Sequence, residues 1–180
     1  SREWTRAGIA TSELNVKSNF ELFMTQKRLQ GEYCDMCSSL IPVGPPMKDI
    51  VKDNVLLVGD AAFHTKATTG GGILASISAG SAAAKAIDGH FKSKKPLKDY
   101  LNHLKPLYKE LELHWKIRRY MNSFSDREID AMFVKMKRAG VESFLEQHGD
   151  MDKPTLFVNK MVGNPRMWGM LPELLKFMRS

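Results

Sequence analysis

Residues 54–87 read NVLLVGDAAFHTKATTGGGILASISAGSAAAKAI, and this stretch decides the fold. The apolar run Val55–Val58 leads directly into Gly59-Asp60, which predicts a strand buried on both faces that ends in a turn. A glycine triplet follows at Gly70–Gly72, and the alanine-rich run that begins at Ile73 predicts a helix. A strand, an acidic turn, a glycine-rich loop and a helix start are the parts of a βα unit that binds a ligand beyond the end of its strand.

The residue types in this unit suit a polar, partly anionic ligand. A carboxylate at Asp60 can accept hydrogen bonds from a sugar hydroxyl, and three glycines without Cβ atoms let the backbone approach a flat group closely. The first N–H groups of the helix favour negative charge. On spacing alone, a tight turn before a closely packed helix explains the stretch equally well. The G-x-G-x-x-G pattern of a first dinucleotide-binding unit occurs nowhere in the chain.

Two separated motifs carry a family resemblance. GDAA at 59–62 followed by TTGGGI at 68–73 resembles the second FAD-contacting motif of the flavoprotein hydroxylase superfamily. HGDMDKPT at 148–155 resembles the GDxDxPS segment near the end of archaeal proteins of the geranylgeranyl reductase family. Lys66-Ala67 stands where many relatives have Asn-Pro. The chain is therefore similar to the carboxyl-terminal part of a geranylgeranyl reductase.

The resemblance implies a flavin site and an activity. It implies that Asp60 binds the ribityl chain of FAD and that the backbone of Gly71–Ile73 lies near the pyrimidine end of the isoalloxazine, with Gly59 and Gly70 in the same site. Such enzymes transfer hydride from reduced FAD to prenyl double bonds of isoprenoid lipid precursors. His64 lies between the two flavin elements and is the one candidate for a catalytic group that positions or protonates flavin or substrate.

The predicted fold class is α+β and mostly helical. By the resemblance, the chain is the carboxyl-terminal portion of an FAD-binding Rossmann-like fold that lacks the amino-terminal dinucleotide-binding βαβ unit. We expect residues 1–53 to end an antiparallel-sheet substrate domain. Residues 54–90 would form the second FAD-contacting strand, loop and helix, and residues 91–180 a helical region.

Local signals predict the elements around the flavin-like motif. Residues 1–11 and 32–43 read as strands, and Ser18 reads as the N-cap of a helix that ends near Gly31. Helical spacing runs through Pro106, which indicates one kinked helix or two abutting ones. Later helices are predicted from the capping box Ser125–Glu128 to Arg138 and over 141–147, 154–163 and 171–179.

The net charge of +7 limits the kinds of partner that the chain is expected to bind. It suits lipid headgroups, a phosphorylated substrate or nucleic acid. Nucleic acid is excluded as the expected partner, because the basic residues are spread widely and no RNA-binding aromatic signature is present. The family resemblance, rather than the charge, implies a prenylated lipid or isoprenoid substrate as the partner, and the electron donor is unknown. The amphipathic, Met-rich segment Met161–Met178 leaves a peripheral membrane contact open, although packing on its own domain is the simpler interpretation.

The two cysteines form a C-x-x-C at Cys34 and Cys37. This spacing suits a redox dithiol or half of a zinc site, but no second ligand pair accompanies it, so we expect structural thiols and no metal. With no disulfide framework and no long apolar run, we expect a cytoplasmic protein, with membrane association left open.

Two other functions remain open at this point. The chain could come from an FAD-dependent aromatic hydroxylase or halogenase on the same flavin fold. It could also be a non-catalytic module that binds a partner or a lipid. A partial domain would expose apolar surface, which leaves a homodimer open as well.

Overall fold

The computed structural model describes residues 5–12, 14–29, 31–170 and 176. They form two compact units, Ser1–Ser39 and Leu40–Ser180. The described part is mostly helical and contains one two-stranded sheet, which confirms the predicted α+β, mostly helical class in its coarse form.

The first unit contains the helix α1 (Val16–Gln26). Its N-cap is Asn15, whose carbonyl already accepts the first helical hydrogen bond from the Asn19 N–H, so the prediction of Ser18 as N-cap is wrong. The helix also ends before the predicted stop near Gly31. Cys34 and Cys37 are exposed free thiols in this unit.

The two strands predicted at the start of the chain are absent from its described residues. Residues 5–11 and 32–43 are irregular, and residues 1–4 lie outside the described part. For residues 5–11 and 32–43 the prediction is wrong, because these segments have no neighbouring strand among the described residues. An apolar pattern makes a strand only when a ladder partner satisfies its backbone groups.

The second unit begins with a short hairpin. Strands β1 (Val51–Lys52) and β2 (Val55–Leu56) pair antiparallel, with Val51 opposite Leu56. The predicted strand Val55–Val58 is therefore shorter than expected, and it is not buried on both faces, since Val55 is 59% exposed. Successive side chains point to opposite faces of a strand, and Leu56 packs on the core together with Leu57 and Val58, which follow the strand.

Helices α2 (Ile73–Ser93) and α3 (Tyr100–Asn122) form the main core. The face of α2 toward this core is made of small residues, and the largest buried side chains around it are Ile50, Tyr100 and Leu104. The Tyr100 hydroxyl donates to the Leu57 carbonyl (3.1 Å), which ties α3 to the chain before the acidic turn. Pro106 is exposed inside α3, so one helix runs through it. The α2 alanines buried in this core are Ala79, Ala82, Ala83 and Ala86.

Three further helices complete the described part: α4 (Asp126–Arg138), α5 (Val141–His148) and α6 (Pro154–Val162). The Ser125–Glu128 capping box is confirmed. A second core joins α5 to the 3-10 turn Pro165–Met170, so the described half of the Met-rich segment packs on its own domain. The helix predicted over 171–179 lies outside the described residues apart from Lys176.

None of the helices in the described ranges combines the length and the hydropathy that crossing a membrane requires.

Candidate functional site

The Gly59-Asp60 turn places a carboxylate beside the start of α2. Residues Gly59–Ala62 form a 3-10 turn, and Gly59 has φ +71°, a conformation that other residues rarely adopt. A Cβ built on Gly59 would lie 3.2 Å from Ser76 Oγ, so this glycine also lets the turn approach α2. The exposed Asp60 carboxylate lies next to Gly72, since a Cβ built there would be 3.1 Å from Asp60 Oδ1.

The buried His64 ring is hydrogen bonded to this turn. The Gly59 N–H donates to His64 Nδ1 (3.2 Å), which leaves the ring proton on Nε2. Nε2 lies 3.4 Å from the Tyr108 hydroxyl, which itself donates to the Met47 carbonyl (2.7 Å). Because His64 is fully buried, desolvation lowers its pKa from 6.5 to about 4, and the ring is neutral near pH 7. Both ring nitrogens are thus engaged in structure, and the catalytic role predicted for His64 stays a prediction.

The glycine-rich loop folds back on Lys66. The Lys66 N–H donates to the Gly71 carbonyl (2.9 Å), and the N–H groups of Thr69 (3.1 Å) and Gly70 (2.8 Å) donate to the Lys66 carbonyl. Gly70 has φ +72°. A Cβ on Gly71 would lie 3.0 Å from Lys66 Cε. The triplet therefore lets the loop pack closely against its own side chains, a role that the spacing alone did not show.

The amino terminus of α2 contributes backbone donors to the site. Its N-cap is Gly72, and no side chain caps the helix there. The first turn of a helix carries N–H groups without helical acceptors, so backbone donors lie beside the Asp60 carboxylate. An exposed carboxylate next to uncapped backbone donors fits a group such as FAD, whose sugar chain offers hydroxyl hydrogens and whose pyrimidine edge offers acceptors.

The segment at 148–155 reaches this loop from the other end of the unit. Lys66 Nζ forms an ion pair with Asp152 Oδ1 at 2.6 Å, across 86 positions of sequence. Asp150 shapes the segment, since its Oδ1 accepts hydrogen bonds from the N–H groups of Asp152 (2.8 Å) and Lys153 (3.1 Å). The linker between the two halves of the flavin-like motif is therefore in direct contact with the 148–155 motif.

Helix α3 supports both motifs through one polar face. Glu110 accepts hydrogen bonds from the Thr155 N–H (3.0 Å) and hydroxyl. His114 Nδ1 lies 2.7 Å from Thr68 Oγ1, and Arg118 Nη1 donates to the Ala67 carbonyl (3.4 Å). The sequence analysis did not single these residues out. Their i, i+4, i+8 spacing was the available signal, because it places three polar residues on one helical face.

His114 has one unsatisfied atom. Its ring is buried, and Nε2 forms no hydrogen bond of ordinary geometry with any described residue. Burial is the main cause that lowers the pKa of His114, and the positive charge of Lys66 is the next, whereas the negative charges of Glu110 and Asp152 and the Met151 backbone act in the opposite direction. The ring is therefore neutral near pH 7 and contributes no charge to the site.

The sequence-predicted site residues lie together. Asp60 adjoins Gly72, Gly70 and Gly71 form the loop that precedes it, and Ile73 begins α2. His64 lies beneath the turn at Gly59. In the part of the chain that the structure describes, no cluster of three or more His, Cys, Asp or Glu side chains could hold a metal ion.

Comparison with known proteins gives related sequences but no related structure. No family model and no solved structure matches the chain. Digeranylgeranylglycerophospholipid reductase 2 of Methanosphaera stadtmanae is 37% identical over 109 residues, which are 56% of this chain and 27% of the relative.

Two more curated relatives carry the same name. The digeranylgeranylglycerophospholipid reductase of Methanococcus aeolicus is 38% identical over 96 residues, 51% of this chain and 25% of the relative. That of Methanococcus vannielii is 31% identical over 138 residues, 74% of this chain and 34% of the relative. The chain thus spans about a quarter to a third of the length of these relatives. The chain is related to the digeranylgeranylglycerophospholipid reductases, which confirms its resemblance to the geranylgeranyl reductase family.

Proposed function

We propose that this chain forms the second flavin-contacting element and the helical region of an FAD-dependent reductase that reduces geranylgeranyl double bonds in isoprenoid lipid precursors. The observation that supports it best is the sequence relation to three proteins named digeranylgeranylglycerophospholipid reductase. The local geometry agrees with the proposal, because the exposed Asp60 lies against Gly72 at the uncapped start of α2.

Each residue of the site has a distinct task in this proposal. FAD, when bound, supplies the hydride chemistry. Asp60 accepts hydrogen bonds from the hydroxyls of the ribityl chain, and the backbone of Gly71–Ile73 donates to the pyrimidine edge. Gly59 and Gly70 give the two turns their left-handed backbone, and neutral His64 holds the first turn through its Nδ1 acceptor.

The proposed substrate is a prenylated lipid with an anionic headgroup. The net charge of +7 supports such a substrate, since a basic protein attracts anionic headgroups. We further propose a cytoplasmic location with contact at the membrane surface, because the prenyl chains of such a substrate reside in a bilayer.

A chimera tests the proposal, because the chain covers only part of each relative. The full 180-residue chain would replace the corresponding segment of the Methanococcus vannielii reductase, whose match covers 74% of this chain. We expect the chimera to retain FAD and to reduce geranylgeranyl double bonds, measured as a mass increase of the lipid product of two hydrogens per double bond.

The unmodified relative is the reference for both readouts. A folded chimera that holds no flavin, while the unmodified relative does, would refute the flavin site. Flavin-dependent oxygen consumption with a hydroxylated product would favour the aromatic hydroxylase alternative instead. Lipid or partner binding by a folded chimera without any flavin would favour the non-catalytic module.

A further inference from the structure

We propose that Asp152 is a positioning residue that acts through Lys66 on the glycine-rich loop, so that the 148–155 segment sets the geometry of the flavin site. The flavin part of this inference rests on the proposed function, whereas the effect on the loop does not. Neither the relatives' names nor the motif itself assigns a role to Asp152.

The Lys66 ammonium requires a partner. Its side chain is only 16% exposed, and a Cβ on Gly71 would lie 3.0 Å from Lys66 Cε and 3.5 Å from its Nζ. A largely buried cation is stable only when an opposite charge compensates the lost hydration. Asp152 supplies that charge at 2.6 Å. Without it, the ammonium would move toward water and withdraw the Lys66 stem from Gly71.

The backbone transmits such a movement to the whole loop. Lys66 makes the three hydrogen bonds that close residues 66–71, through its own N–H to Gly71 and through its carbonyl, which accepts from Thr69 and Gly70. Displacing Lys66 therefore loosens both ends of the loop at once. Because Gly71 leads directly into Gly72 and α2, the backbone donors proposed for the flavin would shift with it.

The Asp152 side of the contact is fixed to the helical core. Asp150 holds the backbone at Asp152, and buried Pro154 begins α6 immediately afterwards. Thr155 is then bonded to Glu110 of α3 by two hydrogen bonds. The carboxylate thus has a fixed support, and the loop is the part that it positions.

Two other titratable groups of this region, His114 and Glu110, do not take the place of Asp152 as the partner of Lys66. His114 is neutral near pH 7, and it contacts the loop at Thr68 rather than at Lys66. Glu110 is engaged by Thr155. The ion pair between Lys92 and Asp88 offers a matched control: its 2.8 Å distance is similar, but its side chains are 74% and 59% exposed. An exposed pair of this kind contributes little.

Hydrogen exchange of the full 180-residue chain tests the inference without any cofactor. We expect Asp152→Asn to speed amide exchange over residues 66–71 about tenfold, while exchange in the centres of α2 and α3 is unchanged. Asp88→Asn should leave every rate within about twofold of the wild type. Asp152→Glu, which restores the charge, should recover most of the protection.

Two further results decide whether the effect runs through Lys66. In a Lys66→Met background, Asp152→Asn should add nothing further, because the cation that it compensates is gone. A full additional effect in that background, or an Asp152→Asn variant that behaves like Asp88→Asn, would overturn the inference. If Asp152→Asn unfolds the whole chain, the double variant Lys66→Met/Asp152→Asn decides in its place: it should fold again because the uncompensated cation is gone, and a double variant that stays unfolded would refute the inference.

FAD binding by the chimera distinguishes a failure of this inference from a failure of the proposed function. In the chimera, Asp152→Asn should weaken FAD binding about tenfold and shift the absorption bands of the bound flavin. A wild-type chimera without flavin would refute the proposed function and leave the exchange result to decide on Asp152. Tight flavin binding with loop exchange insensitive to Asp152→Asn would refute only the positioning role.

Discussion

Lowering the pH should destabilise the protein, because protonation of His64 breaks its hydrogen bond to the Gly59 turn. The ring is fully buried, and its Nδ1 accepts the Gly59 N–H. Protonation would place a charge in a desolvated site and would remove that acceptor, which is why burial lowers the pKa of His64 to about 4. The unfolded chain exposes the ring and restores a pKa near 6.5. Protons therefore bind the unfolded state more readily, and stability falls as the pH falls.

The magnitude follows from the two pKa values. The contribution of His64 is nearly complete at pH 7, above the unfolded pKa of 6.5, and is lost as the pH falls toward the folded pKa of about 4. Proton linkage over this interval gives a loss of about 2–3 kcal/mol in the free energy of unfolding between about pH 7 and pH 4.5. Tyr108, the hydrogen-bonding partner of Nε2, does not titrate here, because burial raises its pKa to about 12.

The assay compares the wild type with His64→Asn. The asparagine carboxamide oxygen can accept the Gly59 N–H, and the side chain does not titrate. Urea unfolding followed by far-ultraviolet circular dichroism gives the free energy of unfolding of both proteins at each pH. His114 and the carboxylates are present in both, so the difference between the two pH dependences isolates His64. The wild type should lose about 2–3 kcal/mol more than the variant. Equal losses would refute the reasoning.

Three further predictions concern the frame around the site, each measured as the free energy of unfolding. Gly59→Ala should lower it by about 1–2 kcal/mol, because a φ of +71° is strained for alanine and its Cβ would lie only 3.2 Å from a serine hydroxyl, whereas Gly80→Ala, with open space inside α2, should raise it by about 0.5–1 kcal/mol. A Gly59→Ala protein as stable as Gly80→Ala would contradict the geometry of the turn. Leu104→Ala, at 1% exposure in the main core, should cost about 2–5 kcal/mol, and Leu74→Ala, at 56% exposure, less than about 1 kcal/mol. Similar losses of stability in the two leucine variants would show that Leu104 is not part of the main core. Tyr108→Phe should cost about 1–3 kcal/mol, because its hydroxyl links the buried imidazole to a backbone carbonyl; no loss of stability would show that this link contributes nothing.

The elements that the sequence predicted correctly have strong local signals. The alanine-rich run from Ile73 and the capping box at Ser125 were sufficient because helix start signals and helical spacing lie within a few residues of each other. The helices over 141–148 and 154–162 were predicted for the same reason. The strands were not, because an extended segment such as 32–43 depends on a partner strand that its own residues do not specify.

The candidate residues of the site could be identified from the sequence, but the contacts that support them could not. Asp60 and the glycine triplet stood out as a motif, and the structure brings them together. The ion pair of Lys66 with Asp152 spans 86 positions, and no spacing rule reaches that far. The position of His64 in the motif was evident from the sequence, but its burial and its hydrogen bond from the Gly59 N–H were not, and its catalytic role stays a prediction.

The most direct test of the proposed flavin site is the FAD affinity of the chimera and of two matched variants. We expect stoichiometric FAD in the wild-type chimera, and a loss of affinity of about 10- to 100-fold in Asp60→Ala, because a hydrogen-bonding carboxylate is removed. Asp88→Ala, which removes an exposed carboxylate from the far part of α2, should bind as the wild type does. Unchanged FAD affinity in Asp60→Ala, or a folded chimera that takes up no FAD at all, would contradict the account.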